Sequence, residues 1–230
     1  SSNTFKTVGF NFAWSSGGAL NTGRQALGAI GTQTTGLACS GQISSNNRTN
    51  STEEYNGSSW TATGNVGSAR YTMGTAGTQT SGLITMGWVG SATTATELYN
   101  GSAWTGGTSS NTGRSNVGSS GTQTSALMFG GSPQGGGATG STEEWNGSSW
   151  TNQSSLGTGR YQLSGNNIGT QTAGLCVGGY SGSAKANVEE YNGSSWTAGG
   201  ALPTAEGIAA RYGLQTAATI AGGGPGPKLD

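Results

Sequence analysis

Residues 52–61 read TEEYNGSSWT, and close variants of this stretch return along the chain. The stretch predicts two short strands, residues 52–55 and 58–61, joined by the two-residue turn Asn56-Gly57. Asn-Gly favours this turn because a type I′ hairpin needs positive φ at both central residues. The same dipeptide recurs between similar flanks, at Asn100-Gly101, Asn146-Gly147 and Asn192-Gly193. The sequence therefore predicts one β-hairpin that is used several times.

A second motif, Gly-Thr-Gln-Thr, alternates with the hairpin and keeps nearly the same period. Its glutamines, the last in a degenerate copy, are separated by 46, 44, 48 and 44 residues and are Gln33, Gln79, Gln123, Gln171 and Gln215. The tryptophans that end the hairpin are separated by 46, 44, 46 and 46 residues and are Trp14, Trp60, Trp104, Trp150 and Trp196. Repeats of this length with several short strands are typical of β-propeller blades.

Each repeat contains enough strand-forming sequence for one blade. In the second repeat, residues 69–74 and 82–87 predict two further strands on either side of the Gln79 motif, and no segment keeps a helical periodicity. Four strands in each repeat predict an all-β, five-bladed β-propeller of four-stranded antiparallel blades. We expect residues 1–230 to form this single domain from units of about 46 residues.

The two ends of the chain carry complementary halves of a repeat. Residues 5–14 are a variant of the hairpin that ends in tryptophan, and residues 220–223 match the strand that precedes this hairpin elsewhere. We expect the N- and C-terminal strands to pair in a shared fifth blade, which closes the ring and removes open sheet edges. Residues 224–230 contain two prolines and are expected to form a linker or tail, because proline lacks the N–H of a strand ladder.

A third feature is a hydrophobic residue followed by two glycines, as in Phe129-Gly130-Gly131 and Val177-Gly178-Gly179. Together with Glu-Glu-Tyr-Asn and a tryptophan five residues after the aromatic, this pattern resembles the kelch repeat of the galactose oxidase superfamily. The resemblance implies a propeller but no single function, because kelch-like propellers serve enzymes, adaptors and lectin-like binders. The amino-acid sequence of the repeats is more similar to Gly/Ser/Thr-rich repeats of marine bacteriophage virion proteins. That resemblance implies a virion or extracellular location, such as a tail fibre, within a larger virion assembly.

Composition and charge argue against several kinds of partner. Nine Lys and Arg residues balance nine Asp and Glu residues, so no basic field points to nucleic acid or to an anionic membrane. No apolar run is long enough for membrane insertion. Cys39 and Cys176 stand in equivalent strands of non-adjacent repeats, and we expect both to be buried and unbridged.

The chain contains no histidine, which removes the usual general base and the usual metal ligand. Seven of the nine acids share one repeat position, before the Asn-Gly turn, and these are Glu53, Glu54, Glu97, Glu143, Glu144, Glu189 and Glu190. A catalytic pair needs two carboxylates in different environments, so this repetition indicates architecture. We expect a protein that is not an enzyme and that uses no cofactor and no metal.

Three sets of repeated side chains have both a binding and a structural interpretation. The arginines Arg24, Arg70, Arg114 and Arg160 either form a ligand-binding ring at one mouth or pair with the repeated glutamates to fasten blades together. The fifth copy has Glu206 at this position, which favours pairing. The repeated glutamines either bind sugar hydroxyls or satisfy backbone groups, and the repeated tryptophans either stack on sugars or wedge between blades. We favour the structural role for each set.

Trp88 and Tyr180 do not follow the repeat pattern. They stand just after the second and fourth glycine ends, in loops that vary while the strands barely change. Variable loops on a constant scaffold are typical binding surfaces, so Trp88, Tyr180 and the four arginines are the candidate ligand contacts. We expect a non-catalytic recognition or display module that binds a glycan or an envelope receptor multivalently. The alternative is a purely structural appendage or spacer with no small ligand.

Overall fold

The computed structural model describes residues 16–45, 47–163, 166–207 and 209–221. The regular elements in these residues are β-strands, so the prediction of an all-β fold is confirmed. The described part of the chain has no helix that is long and apolar enough to cross a membrane. Most strands belong to four-stranded antiparallel sheets, the blades, which are arranged as in a propeller.

The first two blades follow each other along residues 28–107. The strands of blade 1 and its loop are β1 (Gly28–Gly31), β2 (Gly36–Cys39), β3 (Gln42–Ser44), β4 (Asn47–Arg48), β5 (Thr52–Tyr55) and β6 (Trp60–Thr63). Blade 2 consists of β7 (Gly74–Thr78), β8 (Ser81–Thr85), β9 (Thr96–Tyr99) and β10 (Trp104–Gly107). The order in blade 1 is β1-β2-β5-β6, and β3 pairs only with β4 in the loop after β2.

Blades 3 and 4 repeat the same order. The strands of blade 3 and its loops are β11 (Arg114–Ser115), β12 (Gly118–Thr122), β13 (Ser125–Phe129), β14 (Ser132–Pro133), β15 (Thr142–Trp145) and β16 (Trp150–Gln153). Blade 4 consists of β17 (Asn166–Thr170), β18 (Ala173–Val177), β19 (Val188–Tyr191) and β20 (Trp196–Ala198). β11 pairs with β14 at the end of blade 3, outside the main sheet.

The first strands of successive units lie side by side and form the inner wall of the propeller. β1 lies beside β7 and β7 beside β12. β12 and β17 pair in parallel at Ser119 and Asn167. β17 also pairs in parallel with β21 (Ala210–Leu214), which forms a hairpin with β22 (Ala217–Ala221). The units are therefore arranged around one axis in chain order.

The prediction of five blades in a closed ring is wrong for the described residues. They contain four complete blades, and the fifth unit is the single hairpin β21–β22. β21 pairs with β17 and β22 but not with β1, so the ring is open between the fifth unit and blade 1. The sequence that matches the missing outer hairpin stands at the opposite end of the chain, so chain continuity does not place it beside β22. Residues 5–14, with Trp14, and residues 224–230 lie outside the described residues.

The Asn-Gly hairpins exist, but their turns are longer than predicted. Tyr55 pairs with Trp60, so the loop contains four residues, 56–59, and the returning strand begins at Trp60. Only Gly57 has positive φ, at 94°. The Oδ1 atom of Asn56 accepts the backbone N–H groups of Ser58 at 3.0 Å and Ser59 at 2.9 Å. This side-chain turn replaces the type I′ geometry, and it recurs at Asn100, Asn146 and Asn192.

The hydrophobic core is divided into clusters that lie between neighbouring blades. One cluster joins Leu83 and Met86 of blade 2 to Val117 and Met128 beside and within blade 3. Equivalent clusters join blade 1 to blade 2 and blade 3 to blade 4. Each sheet therefore buries its faces against its neighbours, which lets a chain with few large hydrophobic residues form a packed interior.

Replacement of Leu83 by Ala should lower the free energy of unfolding by about 2–5 kcal/mol, because it leaves a cavity between two blades. Leu83 is 0% exposed, whereas Leu214 is 60% exposed on β21. The matched control Leu214→Ala should change the free energy by less than about 0.5 kcal/mol. Urea unfolding followed by tryptophan fluorescence measures both values, and equal losses in the two variants would contradict this description of the core.

Candidate functional site

At one end of the propeller, each blade is tied to the next by a pair of residues with positive φ. The pairs follow the second strand of each blade and are Ser40-Gly41, Met86-Gly87, Gly130-Gly131 and Gly178-Gly179. The glycine at the second position of each pair donates its N–H to a carbonyl in the following unit, at 2.7–2.8 Å. These carbonyls belong to Arg70, Arg114, Arg160 and Glu206. A Cβ at Gly131 would lie 2.6 Å from Cγ1 of Val117 and 2.7 Å from the carbonyl oxygen of Ser115. Glycine is therefore required by both conformation and space.

The four repeated arginines lie in the same region and are buried. Each pairs with a glutamate on the third strand of the blade that it precedes, and the pairs are Arg24–Glu53, Arg70–Glu97, Arg114–Glu143 and Arg160–Glu189. The arginine side chains are 0% exposed. A ligand-binding ring of arginines is therefore not formed at the surface of the described residues. The pairs were expected to link neighbouring blades. Instead, each joins the segment that precedes a blade to the third strand of that same blade.

Arg114 shows how completely such a guanidinium is used. It donates to the carbonyls of Gly130 and Ser141, both at 2.6 Å, and to Oε1 of Glu143 at 2.9 Å. The other oxygen of Glu143 accepts the N–H of Asn111 at 2.7 Å. Burial lowers the pKa of Arg114, and the carboxylate of Glu143 opposes that shift. The pair thus fixes the end of β13, the loop before β15 and the segment that leads into blade 3.

The fifth unit has a different arrangement of charges. Glu206 stands at the arginine position, and only its carbonyl keeps the link to Gly179. The guanidinium of Arg211 on β21 is buried instead and donates to the carbonyls of Ala209 and Gly207. Burial lowers the pKa of Arg211. The described part of this unit therefore lacks the Arg–Glu pair of the four complete blades.

The repeated glutamines and tryptophans reach back from one blade to the preceding blade. The amide of Gln123 donates to the carbonyls of Gly82 and Tyr99, and the equivalent bonds are made by Gln79, Gln171 and Gln215. Gln33 is exposed. The indole N–H of Trp104 donates to Thr52, that of Trp150 to Thr96 and that of Trp196 to Thr142. Trp60 donates to the carbonyl of Gly18. These contacts support the structural interpretation.

The cysteines are as predicted, buried and not disulfide-bonded. Burial raises the pKa of Cys39 to about 12 and that of Cys176 to about 11. Both thiols are therefore protonated at neutral pH and are poor nucleophiles.

The variable side chains lie next to the positive-φ pairs, at the end of the propeller that we call the loop face. There the residue after each arginine forms a backbone bridge with the residue after each positive-φ pair. The four bridges are Gln25–Gln42, Tyr71–Trp88, Ser115–Ser132 and Tyr161–Tyr180. The bridges join equivalent positions in each unit, and all four are antiparallel. Their side chains differ, because they are amides, aromatics, hydroxyls and aromatics in turn. The loop face therefore has the character of a scaffold with interchangeable contacts.

The structure brings the two off-pattern residues of the sequence to this loop face. Trp88 and Tyr180 are both half-buried, each bridged to a tyrosine. The rings of Tyr161 and Tyr180 meet edge to face, with their centroids 5.5 Å apart. Sequence reasoning missed Tyr71 and Tyr161, although a signal was present, because the residue after each arginine varies while the arginine itself repeats.

The inner rim of the loop face is formed by residues with unusual backbone angles. Ala26, Thr72, Asn116 and Gln162 occupy one repeat position and have φ between 50° and 60°. Non-glycine residues with positive φ are uncommon and persist where the surrounding structure determines them. Here the N–H of Thr72 donates to Ala26 at 2.9 Å, and that of Asn116 donates to Thr72 at 2.8 Å. These bonds form a continuous backbone rim across the first three blades.

A cavity of about 330 Å³ opens at this rim. It is lined by Gln25, Ala26, Gln42, Ser45, Tyr71, Thr72 and Asn116. The lining contains amides, hydroxyls and one aromatic ring but no charged side chain. Its volume is near the lower end for small-molecule sites. The described residues contain no group of three or more His, Cys, Asp or Glu side chains placed to hold a metal ion.

Comparison with known proteins finds neither a matching family model nor a matching curated protein. The fold is propeller-like, and the kelch-like and phage-like resemblances stay predictions.

Replacement of Arg114 by Met should lower the free energy of unfolding by about 3–5 kcal/mol, because the charge of Glu143 is then buried without its partner. Arg48→Met is the matched control, since Arg48 on β4 lies outside the repeated ion pairs and is only half-buried. The control should change the value by less than about 0.5 kcal/mol. Urea unfolding of both variants tests this role, and an Arg114 variant as stable as the control would refute it.

The stability of the protein should fall between pH 10 and pH 12, in part because of Tyr99. Burial raises the pKa of Tyr99 to about 12, and its bond to Glu54 acts in the same direction. An unfolded tyrosine ionises near pH 10, so the stability from this neutral phenol is present below that pH and lost as the pH rises towards 12. Unfolding free energies measured across this range should fall less steeply for Tyr99→Phe than for the wild type. The control Tyr212→Phe, at a 57% exposed site, should follow the wild type, and identical slopes for all three proteins would be the contrary result.

Proposed function

We propose that this chain is a non-catalytic recognition module that binds a glycan or a cell-envelope receptor through the loop face. The observation that carries the proposal is the contrast between constant and variable parts. The four bridges have one backbone geometry, whereas the side chains at these positions change from unit to unit. Ser115 is buried, but Gln25 is exposed and Tyr71 and Tyr161 are half-buried, and packing alone gives no reason for an amide pair and two aromatic pairs at these equivalent positions.

The chemistry of the loop face suits a neutral, hydroxyl-rich partner. Tyrosine and tryptophan present an apolar ring face together with a polar group, which suits contact with a partner that is apolar in one place and hydrated in another. Glutamine, asparagine and serine supply both donors and acceptors. The nearby arginine and glutamate charges neutralise each other below the surface.

The repeated carboxylates support a function without catalysis. Glu53, Glu97, Glu143 and Glu189 are held in the buried ion pairs. Glu54 and Glu144 accept the phenol hydroxyls of Tyr99 and Tyr191. A carboxylate that is committed to such contacts is a poor candidate for proton transfer, since a general acid or base must reach its substrate.

A virion or extracellular location, a tail-fibre role and multivalent binding remain parts of the proposal that rest on the sequence alone. Avidity within one ring requires equivalent sites, and the side chains of the four bridges are not equivalent. Multivalency would therefore come from several copies of the chain in a larger assembly.

The purely structural appendage has one observation in its favour. The described repeat tryptophans donate their indole N–H groups to protein acceptors, three of them across a blade interface, and none is fully exposed. The described repeat tryptophans are therefore engaged in contacts within the protein. In this alternative the loop face has no ligand.

The proposal is tested with a glycan array and then with titration of each positive glycan, followed by tryptophan fluorescence. The double variant Tyr71→Ala/Tyr161→Ala removes one aromatic ring from each aromatic bridge, and binding should weaken by at least roughly tenfold. Tyr212→Ala, at an exposed site on β21, is the control and should bind as the wild type does. Equal binding by all three proteins places the site elsewhere and contradicts the proposal. Absence of binding to glycans and to intact cell envelopes by the folded wild type would favour the structural appendage.

A further inference from the structure

We infer that the loop face carries one sugar site for each chain, at the cavity between the Gln25–Gln42 bridge and Tyr71, and that this site takes a single neutral sugar residue. The inference rests on the proposed function and deepens it. It replaces several equivalent sites with one, and it names the class of ligand.

The cavity is bounded by parts of the structure that are already fixed. Gln25 and Gln42 exchange two backbone hydrogen bonds of 2.9 Å, and Thr72 bonds to Ala26 along the rim. The amide of Gln42 is held by the carbonyl of Ser45 at 2.9 Å. Because these groups are ordered without a ligand, binding has little conformational entropy to offset. A volume of about 330 Å³ suits one sugar ring rather than a branched oligosaccharide.

The lining points to a neutral ligand. Gln25, Gln42 and Asn116 line the cavity with amide groups, and Ser45, Thr72 and Tyr71 line it with hydroxyl groups. The Gln42 Nε2 and the Thr72 hydroxyl already donate to the carbonyls of Ser45 and Tyr71, so a ligand would use mainly the remaining groups. None of these side chains carries a charge at neutral pH. Among the nearby cations, Arg24 and Arg70 are paired with Glu53 and Glu97 and have no exposed side-chain surface. Arg48 lies opposite Gln42 in the β3–β4 pair but does not line the cavity. An acidic sugar or a phosphate would therefore lose hydration without gaining a cation among the lining residues, whereas the hydroxyls of a neutral sugar find both donors and acceptors.

The other described units do not repeat the side chains that line this cavity. The position of Gln25 is taken by Tyr71, Ser115 and Tyr161 in the next three units, and that of Gln42 by Trp88, Ser132 and Tyr180. The β3–β4 hairpin that supplies Ser45 pairs in the loop of blade 1, whereas the corresponding loops of blades 2 and 4 form the isolated bridges Trp88–Ala92 and Tyr180–Ala184. Because only one described unit carries the amide-rich set of side chains, we expect one site for each chain.

The test uses protein-observed ¹⁵N–¹H NMR with the methyl glycosides of glucose, galactose, mannose and N-acetylglucosamine as neutral probes. N-acetylneuraminic acid, glucuronic acid and inorganic phosphate serve as anionic probes. At least one neutral glycoside should shift backbone signals around Gln25, Gln42, Tyr71 and Asn116, and it should leave the Tyr161–Tyr180 bridge of blade 4 unchanged. The anionic probes should bind at least roughly tenfold more weakly.

Two variants and two matched controls locate the site. Gln25→Leu and Tyr71→Ala should each weaken binding of the responding glycoside by at least roughly tenfold. Gln33→Leu and Tyr212→Ala, both at exposed positions away from the cavity, should not change it. Thermal unfolding of each variant confirms that the fold is kept, and Gln25→Leu is well suited because Gln25 is itself exposed.

Three results overturn the inference. Signal shifts of similar size at the Tyr161–Tyr180 bridge would show a second site, and stronger binding of an anionic probe would show the wrong ligand class. No response to any neutral glycoside by the folded protein would remove the site. Each of these leaves the proposed function to be decided separately by the array and by the Tyr71/Tyr161 double variant, which should lose binding whichever of the two aromatic bridges holds the sugar.

Discussion

A guanidinium with no exposed surface, paired with a carboxylate, sets the geometry of each complete blade. Removing these charges from water costs several kcal/mol for each ion, and only close partners offset that cost. Arg114 therefore binds two carbonyls as well as Glu143, and Glu143 binds a backbone N–H in addition. Three separate segments of chain meet at one point and must keep their positions. The positive-φ pair that follows the second strand belongs to the same junction. In blade 3 the carbonyl of Gly130 accepts from Arg114, and the N–H of Gly131 donates to the following unit.

The loop face depends on this buried junction. The residue after the arginine and the residue after the glycine pair are adjacent to fixed groups, so their backbones meet in the same bridge in every unit. In the described residues, no hydrogen bond joins their side chains to the ion pairs. Side chains at these positions can therefore change without loss of the fold, and the variety seen at Gln25, Tyr71, Ser115 and Tyr161 is the expected outcome. A site formed in this way has a rigid base and a surface chemistry that is set by few residues.

Much of this architecture was predictable because repetition makes weak signals consistent. The strands, the blade order within each repeat and the inward role of the tryptophans follow from periodic hydrophobic and turn residues. The backbone angles of Ala26 and Thr72 were not predictable, because positive φ at such residues is imposed by neighbouring hydrogen bonds and leaves no mark in local sequence. The four-residue turn at Asn56 depends on a side-chain oxygen that competes with the expected backbone turn. Ring closure was predicted because the two ends of the chain carry complementary halves of a repeat. A closed ring would also need pairing between β1 and β21, and complementary sequences alone do not supply it. Gln25 and Gln42 were missed as site residues because only the tertiary bridge brings them to Tyr71.

The central claim is that buried ion pairs hold the loop face rigid, and amide hydrogen exchange of the native protein tests it most directly. The N–H groups of Gly41, Gly87, Gly131 and Gly179 lie in loops but donate to carbonyls at 2.7–2.8 Å beside the ion pairs. The account predicts that Gly87 and Gly131 exchange as slowly as strands β8 and β13, through global unfolding. Exchange of these glycines at the rate of ordinary exposed loops, while the strands remain protected, would contradict it.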